Sequence, residues 1–235
     1  WKGIKPSSNI QSFAREKRYK LIFAKSETYK IDNILLGHHQ EDLIENFFIR
    51  ILRGSGLKGL ISLNKKTEIG KKKLYRPLLG LVKEDLIFIS NYVFKFYVRD
   101  PSNDDEKFLR IRVRKLIEEL KRNGLNNKKL EKTIENLKSS NSVVEFYTNM
   151  NLKNNAFSFV NNNKIILKKE FFEQPYEVIF RSISNLIKLV GKKHYSARGK
   201  KIDRIITDLK KRPNLKVTLG GCILEKVNQS VIIRK

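Results

Sequence analysis

Cysteine is almost absent: Cys222 is the only one in 235 residues. One thiol excludes an intrachain disulfide framework and any zinc site built on cysteines. Acidic side chains are also scarce. Twenty-four Asp and Glu stand against 50 Lys and Arg, a net charge of +26. Such a surplus favours a polyanionic partner, nucleic acid or an acidic membrane surface. Scattered solvated lysines account for part of it, but the arginines cluster in motifs. No run approaches the roughly 18 apolar residues of a membrane span, and no signal-peptide pattern is present. A reduced, cytoplasmic protein without a membrane partner is therefore expected. The Gly-x-x-x-x-Gly-Lys spacing of a Walker loop is missing, as are internal repeats and low-complexity linkers.

What is present is enough apolar residue, 40%, to build one large or two small cores. Asn9 is a suitable cap for a helix over roughly 10–30, followed by a strand at 33–37 and a helix at 41–53. Lysines at 65–66 and 71–73 flank Thr67–Gly70 and suggest an exposed hairpin or loop. A helix over 83–95 leads to a short strand at Phe96-Tyr97-Val98. This alternation argues for a parallel α/β sheet with crossovers. Asp100-Pro101-Ser102-Asn103 is a turn by its chemistry. Leu109, Val113, Leu116, Ile117 and Leu120 then form a helical stripe to about 122. A break at Gly124 precedes a helix over 128–150. Strands at 156–160 and 164–168, helices near 175–190 and 200–211, and strands at 215–219, 222–227 and 230–234 complete a small mixed α+β region.

The densest chemistry lies at 37–46. A short apolar strand breaks at Gly37, and His38, His39, Glu41, Asp42 and Glu45 follow at the start of a helix. Open α/β sheets place ligands where strands hand over to helices. Ile44, Phe47, Phe48, Ile51 and Leu52 recur at the spacing of a buried helical face. Two readings are open for the ionisable residues. Acidic groups in a first helical turn are favourable in their own right, by about 0.3–1 kcal/mol each. Alternatively, His and carboxylate together suit a metal. The only other histidine is His194, so no metal built into the protein is expected.

Arginine supplies the second theme. Arg110 and Arg114 lie one turn apart, opposite the apolar stripe, with Arg112 between them. Guanidinium forks bind phosphate bidentately, whereas a solvated basic face is the plainer alternative. Arg50, Arg53, Gly54 and Gly56 end the preceding helix. There glycine serves as a C-cap and also allows close approach of RNA or phosphate. Arg15 and Arg18 are weaker phosphate candidates. His194, Tyr195, Arg198, Lys200, Lys201 and Arg204 form a basic cluster containing an aromatic, suited to RNA backbone and stacking contacts.

Four motifs in order resemble the tRNA(Ile)-lysidine synthetase family of PP-loop ATP-pyrophosphatases: His38-His39-Gln40-Glu41-Asp42, Arg76-Pro77-Leu78-Leu79, Asp100-Pro101-Ser102-Asn103 and Arg110-Ile111-Arg112-Val113-Arg114. Trp1-Lys2-Gly3, Ala14–Tyr19 and Thr218–Cys222 resemble further family segments. The resemblance covers about residues 1–120. It implies a Rossmann-like fold of the adenine nucleotide alpha hydrolase type at 1–122, a helical connector at 123–150 and a tRNA-binding domain at 151–235. The family's Ser-Gly-Gly-x-Asp-Ser phosphate loop is not found in these residues. The resemblance thus leads us to expect an amino-terminally truncated catalytic domain that is inactive by itself.

The activity implied is adenylylation of the wobble cytidine C2 oxygen of tRNA(Ile) with a CAU anticodon, followed by attack of free lysine. ATP with Mg²⁺ would be consumed. Asp42 would orient or deprotonate the lysine, and His38 would assist proton transfer. His39, Glu45, Arg15, Arg18, Arg53, Gly54, Gly56, Arg110, Arg112 and Arg114 would bind substrate, tRNA or phosphate. Glu41, Leu43, Ile111 and Lys115 depart from the family's usual Asp, Gln, Asn and His. A PP-loop tRNA thiolation enzyme is disfavoured by the single cysteine; a non-catalytic RNA-binding module is the alternative from another class. Oligomeric state stays open, with a homodimer among the options.

Overall fold

The computed structural model describes residues 10–98, 107–159, 164–193 and 197–235. The expected features at Trp1–Gly3, Asn9, Asp100–Asn103, His194 and Tyr195 lie outside these residues. The chain divides into two compact units, 1–134 and 135–235.

The N-terminal unit begins with α1 (Ile10–Thr28), β1 (Asn33–Leu35), α2 (Gln40–Leu52) and the single turn α3 (Leu57–Leu60). The hairpin β2 (Lys66–Ile69) and β3 (Lys72–Tyr75) follows, then a 3-10 turn at Pro77–Gly80. Next come α4 (Lys83–Phe94), α5 (Leu109–Arg122) and α6 (Asn127–Asn155), whose residues fall in both units. The sheet order is β1-β3-β2. β1 and β3 pair in parallel, Ile34 opposite Leu74, because α2 carries the chain across between them. β2 and β3 are antiparallel. Their connection is only Gly70-Lys71, too short for a parallel return, and Gly70 takes φ +60 in the turn. The expectation of a parallel sheet is thus met by one pair of strands among the described residues.

The core of this unit gathers Leu43, Ile44 and Phe47 of α2, Leu74 of β3, Ile111, Val113 and Ile117 of α5, and Leu130 and Ile134 of α6. Fully burying such side chains contributes about 1.5–3 kcal/mol each. Two stripes differ from expectation. Ile51 and Leu52 are exposed because the last turn of α2 extends past the core, and Leu43 is buried instead. On α5, Leu116 is partly exposed while Ile111 turns inward. Phe96-Tyr97-Val98 form no strand; they pair with no neighbour in the sheet and are exposed.

The C-terminal unit is an antiparallel sheet under two helices. Its strands are β4 (Ala156–Phe159), β5 (Lys164–Leu167), β6 (Leu215–Leu219), β7 (Cys222–Val227) and β8 (Ser230–Arg234), in the order β4-β5-β8-β7-β6. α7 (Tyr176–Val190) and α8 (Gly199–Lys211) bury Ile179, Ile183, Ile187, Ile202 and Ile206 against Leu167, Leu224 and Ile233. Gly191 meets the β6–β7 turn so closely that a Cβ there would stand 2.1 Å from the Gly220 carbonyl oxygen. Cys222 belongs to this core: its thiol donates to the Ile187 carbonyl at 3.4 Å, and burial pushes its pKa up.

Candidate active site at the junction of strand one and helix two

Four residues separate the parallel strand from α2, the last of them His39, the extended cap residue. The Asp42 carboxylate accepts the His39 backbone N–H at 3.1 Å through Oδ2. Glu41 Oε2 accepts the Lys83 N–H at 3.1 Å and lies 2.8 Å from His39 Nδ1. The other ring nitrogen, Nε2, lies 3.4 Å from Asp42 Oδ2, so the imidazole is held between two carboxylates. Both acidic residues therefore satisfy donors at helix starts, as expected of a first turn. The cap occupies only Oδ2 of Asp42. Oδ1 faces Arg110, whose Nη2 is 3.9 Å away.

His38 points into a different environment. It is half-buried, and its buried Nδ1 has no hydrogen-bond partner. Burial lowers its pKa below 6.5; Asp42 opposes this, and the charges of Arg76, Arg15 and Arg110 add to it. The imidazole is consequently neutral at pH 7 and can accept a proton.

Glu45, one turn beyond Asp42, is 2% exposed. Arg114 donates its Nε–H to Oε1, and Arg110 Nε lies 2.9 Å from Oε2 as an ion pair. Burial pushes the carboxyl pKa up, against the opposing hydrogen bond and charge of Arg114 and the charge of Arg110. Glu45 thus fixes two guanidiniums, of which that of Arg110 also lies beside Asp42. Arg112, between them, is exposed and donates to the Lys107 carbonyl, away from Glu45.

The remaining arginines fall into two sets. Arg15, on exposed α1, acts on both His38 and Arg50, and Arg53 acts on Arg50 as well. Burial and these like charges lower the Arg50 pKa. Arg15 thus adds positive charge near both His38 and Arg50, and Arg53 adds it near Arg50. Arg18 is exposed on the next turn of α1. Gly54 takes φ +64, which explains it as a helix terminator. Gly56 has an ordinary φ, and a Cβ there would meet nothing within 4 Å.

Sequence reasoning gave no site role to three contributors, although Arg76 and Gln40 stand within the motifs that carry the resemblance. Arg76 is buried, donating from Nη1 to the Asn64 carbonyl at 2.8 Å and Thr67 Oγ1 at 2.9 Å, with Nε unpartnered. Its place directly before Pro77 was the available signal. Gln40 is buried, donating to Glu131 at 2.8 Å and accepting from Asn127 at 2.9 Å. Lys83 joins His39, Glu41, Glu45, Arg114 and Lys121 around a cleft of about 260 Å³ floored by Ile44 and Ile117. Among the described residues no group of three or more His, Cys, Asp or Glu could hold a metal ion. No helix among them is long and apolar enough to cross a membrane.

Residues 2–120 match the family described as a PP-loop domain. The tRNA(Ile)-lysidine synthase of Orientia tsutsugamushi (strain Boryong) is 33% identical over 99% of this chain and 54% of its own length. That of Wolbachia sp. subsp. Brugia malayi (strain TRS) is 27% identical over the same shares. That of Anaplasma marginale (strain St. Maries) is 29% identical over 96% of this chain and 49% of its own. The chain spans about half the length of these curated relatives.

Proposed function

The chain belongs to the PP-loop domain family, and from that premise we propose that it carries the lysine-transfer half of a tRNA(Ile)-lysidine synthase active site. The observation that carries this reading is the meeting of Asp42, neutral His38 and the guanidiniums of Arg15, Arg76 and Arg110 at one strand–helix junction. The reaction would adenylylate the wobble cytidine at its C2 oxygen, with ATP as co-substrate and pyrophosphate leaving. The amino group of free lysine would then attack C2, AMP would depart with the oxygen, and one proton would have to leave the nitrogen.

Each residue suits one requirement of that sequence. The outward oxygen of Asp42 is placed to hold the lysine ammonium and orient it. The unpartnered Nδ1 of His38 can take the proton, because burial and, after it, the surrounding arginines disfavour imidazolium and leave the base empty at neutral pH. Arg110 and Arg114, held by Glu45, present positive charge to α-phosphate oxygens without reorganising. Arg15, Arg50 and Arg53 would meet the tRNA backbone, and Gly56 would let it approach. Mg²⁺ would arrive on the ATP phosphates, where it neutralises charge.

In the C-terminal unit, α8 displays Lys200, Lys201 and Arg204, with Arg198 just before it. We read this unit as a second tRNA contact. The 235 residues contain no Ser-Gly-Gly-x-Asp-Ser loop, so by themselves they should form no lysidine. The test joins the chain to the loop-bearing segment of the Orientia relative and supplies ATP, labelled lysine and tRNA(Ile) transcript. Transfer should require ATP and cytidine at the wobble position. Label reaching a transcript with uridine there would sink the proposal.

A further inference from the structure

The inward face of α2 opens on an amide. Gln40, Leu43, Ile44 and Phe47 recur at i, i+3, i+4 and i+7 and are all buried. Gln40 therefore holds a place where the helical period calls for an apolar side chain. It is 7% exposed, and both ends of its amide are bonded. Its Nε2–H donates to Glu131 Oε1 at 2.8 Å, and its Oε1 accepts from Asn127 Nδ2 at 2.9 Å. Its backbone N–H donates to the Leu81 carbonyl at 3.0 Å. As a carboxylate Glu131 only accepts, so the amide fits one way round, with Nε2 towards Glu131 and Oε1 towards Asn127.

We propose that Gln40 is a positioning residue for lysine transfer, a key between α2 and the start of α6 that fixes where the Asp42 carboxylate points; the proposal rests on the role given to Asp42 above. Apolar burial is non-directional, so a leucine at this place would hold the helix without choosing its rotation. Hydrogen bonds have preferred angles, and setting register is the best-attested use of a buried polar residue. Gln40 is also the only buried residue among the first three of α2. Asp42 has one oxygen on the His39 N–H and the other facing Arg110. Rotation of this turn about the helix axis would redirect that second oxygen.

Stability and positioning separate at this residue. Gln40→Leu continues the apolar stripe and keeps the backbone bond to Leu81, so the variant should fold. It loses both side-chain bonds, and with them the choice of rotation. A misplacement of about 1 Å at a reacting group can cost roughly 10²-fold in rate. With the Leu81 bond still in place, Gln40→Leu should slow lysine transfer about tenfold or more. Gln40→Glu sets an acceptor against the Glu131 acceptor and should be at least as harmful. Adding Glu131→Gln to that chain reverses the pair: Gln at 131 donates, and Glu at 40 still accepts from Asn127. Coupled partners of this kind recover together.

Two measurements test this. In the whole chain, hydrogen exchange by NMR reads the N–H groups of His39 and Leu43, accepted by Asp42 and by the His39 carbonyl. Both should exchange about tenfold faster or more in Gln40→Leu and in Gln40→Glu, as a locally loosened turn does. Those of Phe47 and Phe48, deeper in the helix, should keep their rates, and the double variant should return to slow exchange. In the chain joined to the phosphate-loop segment, transfer at saturating lysine should fall in both single variants and recover in the double, with tRNA affinity unchanged throughout. Thr133→Ala, exposed on α6, should alter neither readout. Unchanged exchange at His39 and Leu43 in Gln40→Leu would overturn the proposal. So would a double variant no better than Gln40→Glu, or fast exchange with undiminished transfer. A joined protein that transfers no lysine before any substitution would strike the role given to Asp42, and the exchange rates alone would then decide whether Gln40 holds the turn.

Discussion

Replacing Glu45 probes the part of the site with the largest electrostatic stake. Its carboxylate is 3% exposed at the side chain, whereas Arg110 and Arg114 keep 40% and 34% of theirs in water. Removing one partner of a fully buried ion pair costs about 3–5 kcal/mol, because the other charge is left stranded. Here both guanidiniums can re-solvate, and glutamine still offers Arg114 one acceptor. Glu45→Gln should therefore cost about 1.5–3 kcal/mol, the range for hydrogen bonds to charged groups. For a unit of this size that lowers Tm by roughly 5–12 °C. Thermal unfolding followed by circular dichroism at neutral pH measures it. The exposed Lys20–Glu16 pair is the control: Lys20→Ala should change stability by less than about 0.5 kcal/mol. Salt should leave the Glu45 effect nearly intact, since buried pairs are weakly screened. A Glu45→Gln variant as stable as Lys20→Ala would refute the idea that Glu45 organises the arginines.

Two further outcomes follow from the same geometry. His38 should titrate below 6.5 by NMR. The stability its neutral form contributes is complete above pH 6.5 and is lost as pH falls from there through the lower folded-state pKa, so His38→Gln should remove that part of the acid-side loss; a midpoint at or above 6.5 contradicts the burial argument. Binding of tRNA should weaken with log salt by about 0.7–0.9 per phosphate neutralised, and Arg15→Ala and Arg53→Ala should each reduce that slope by about one contact, whereas a flat response would make the charge surplus incidental.

Local chemistry made most of the elements legible. The β6–β7–β8 meander matched because Gly220-Gly221 and Asn228 lie at turns and take positive φ. The hairpin at 66–75 was readable in its position but not in its effect on sheet direction. Phe96–Val98 reads as a strand because aromatic and β-branched residues have high β propensity, but propensity supplies no pairing partner. Ile51 and Leu52 fit the helical period and still face solvent, because periodicity does not say where the core ends. At the site, Asp42 and His38 were visible as residue types beside a helix start. The bridge from Glu45 to Arg110 and Arg114 spans more than sixty residues of sequence, and no local pattern encodes it. The buried Arg76 was hidden for the same reason: its acceptors, Asn64 and Thr67, lie on the far side of a hairpin.

The central claim is that Asp42 serves lysine transfer and does not merely begin a helix. At the third position of α2 an asparagine can still accept the His39 N–H through its Oδ1, so Asp42→Asn separates the two roles. The measurement is transfer of labelled lysine to tRNA(Ile) by the chain joined to a phosphate-loop segment, with and without this substitution. The account predicts unchanged tRNA affinity, a smaller effect on pyrophosphate release, and lysine transfer reduced by roughly 10²-fold or more. Near-normal transfer by the Asp42→Asn protein would contradict it and leave Asp42 a helix cap.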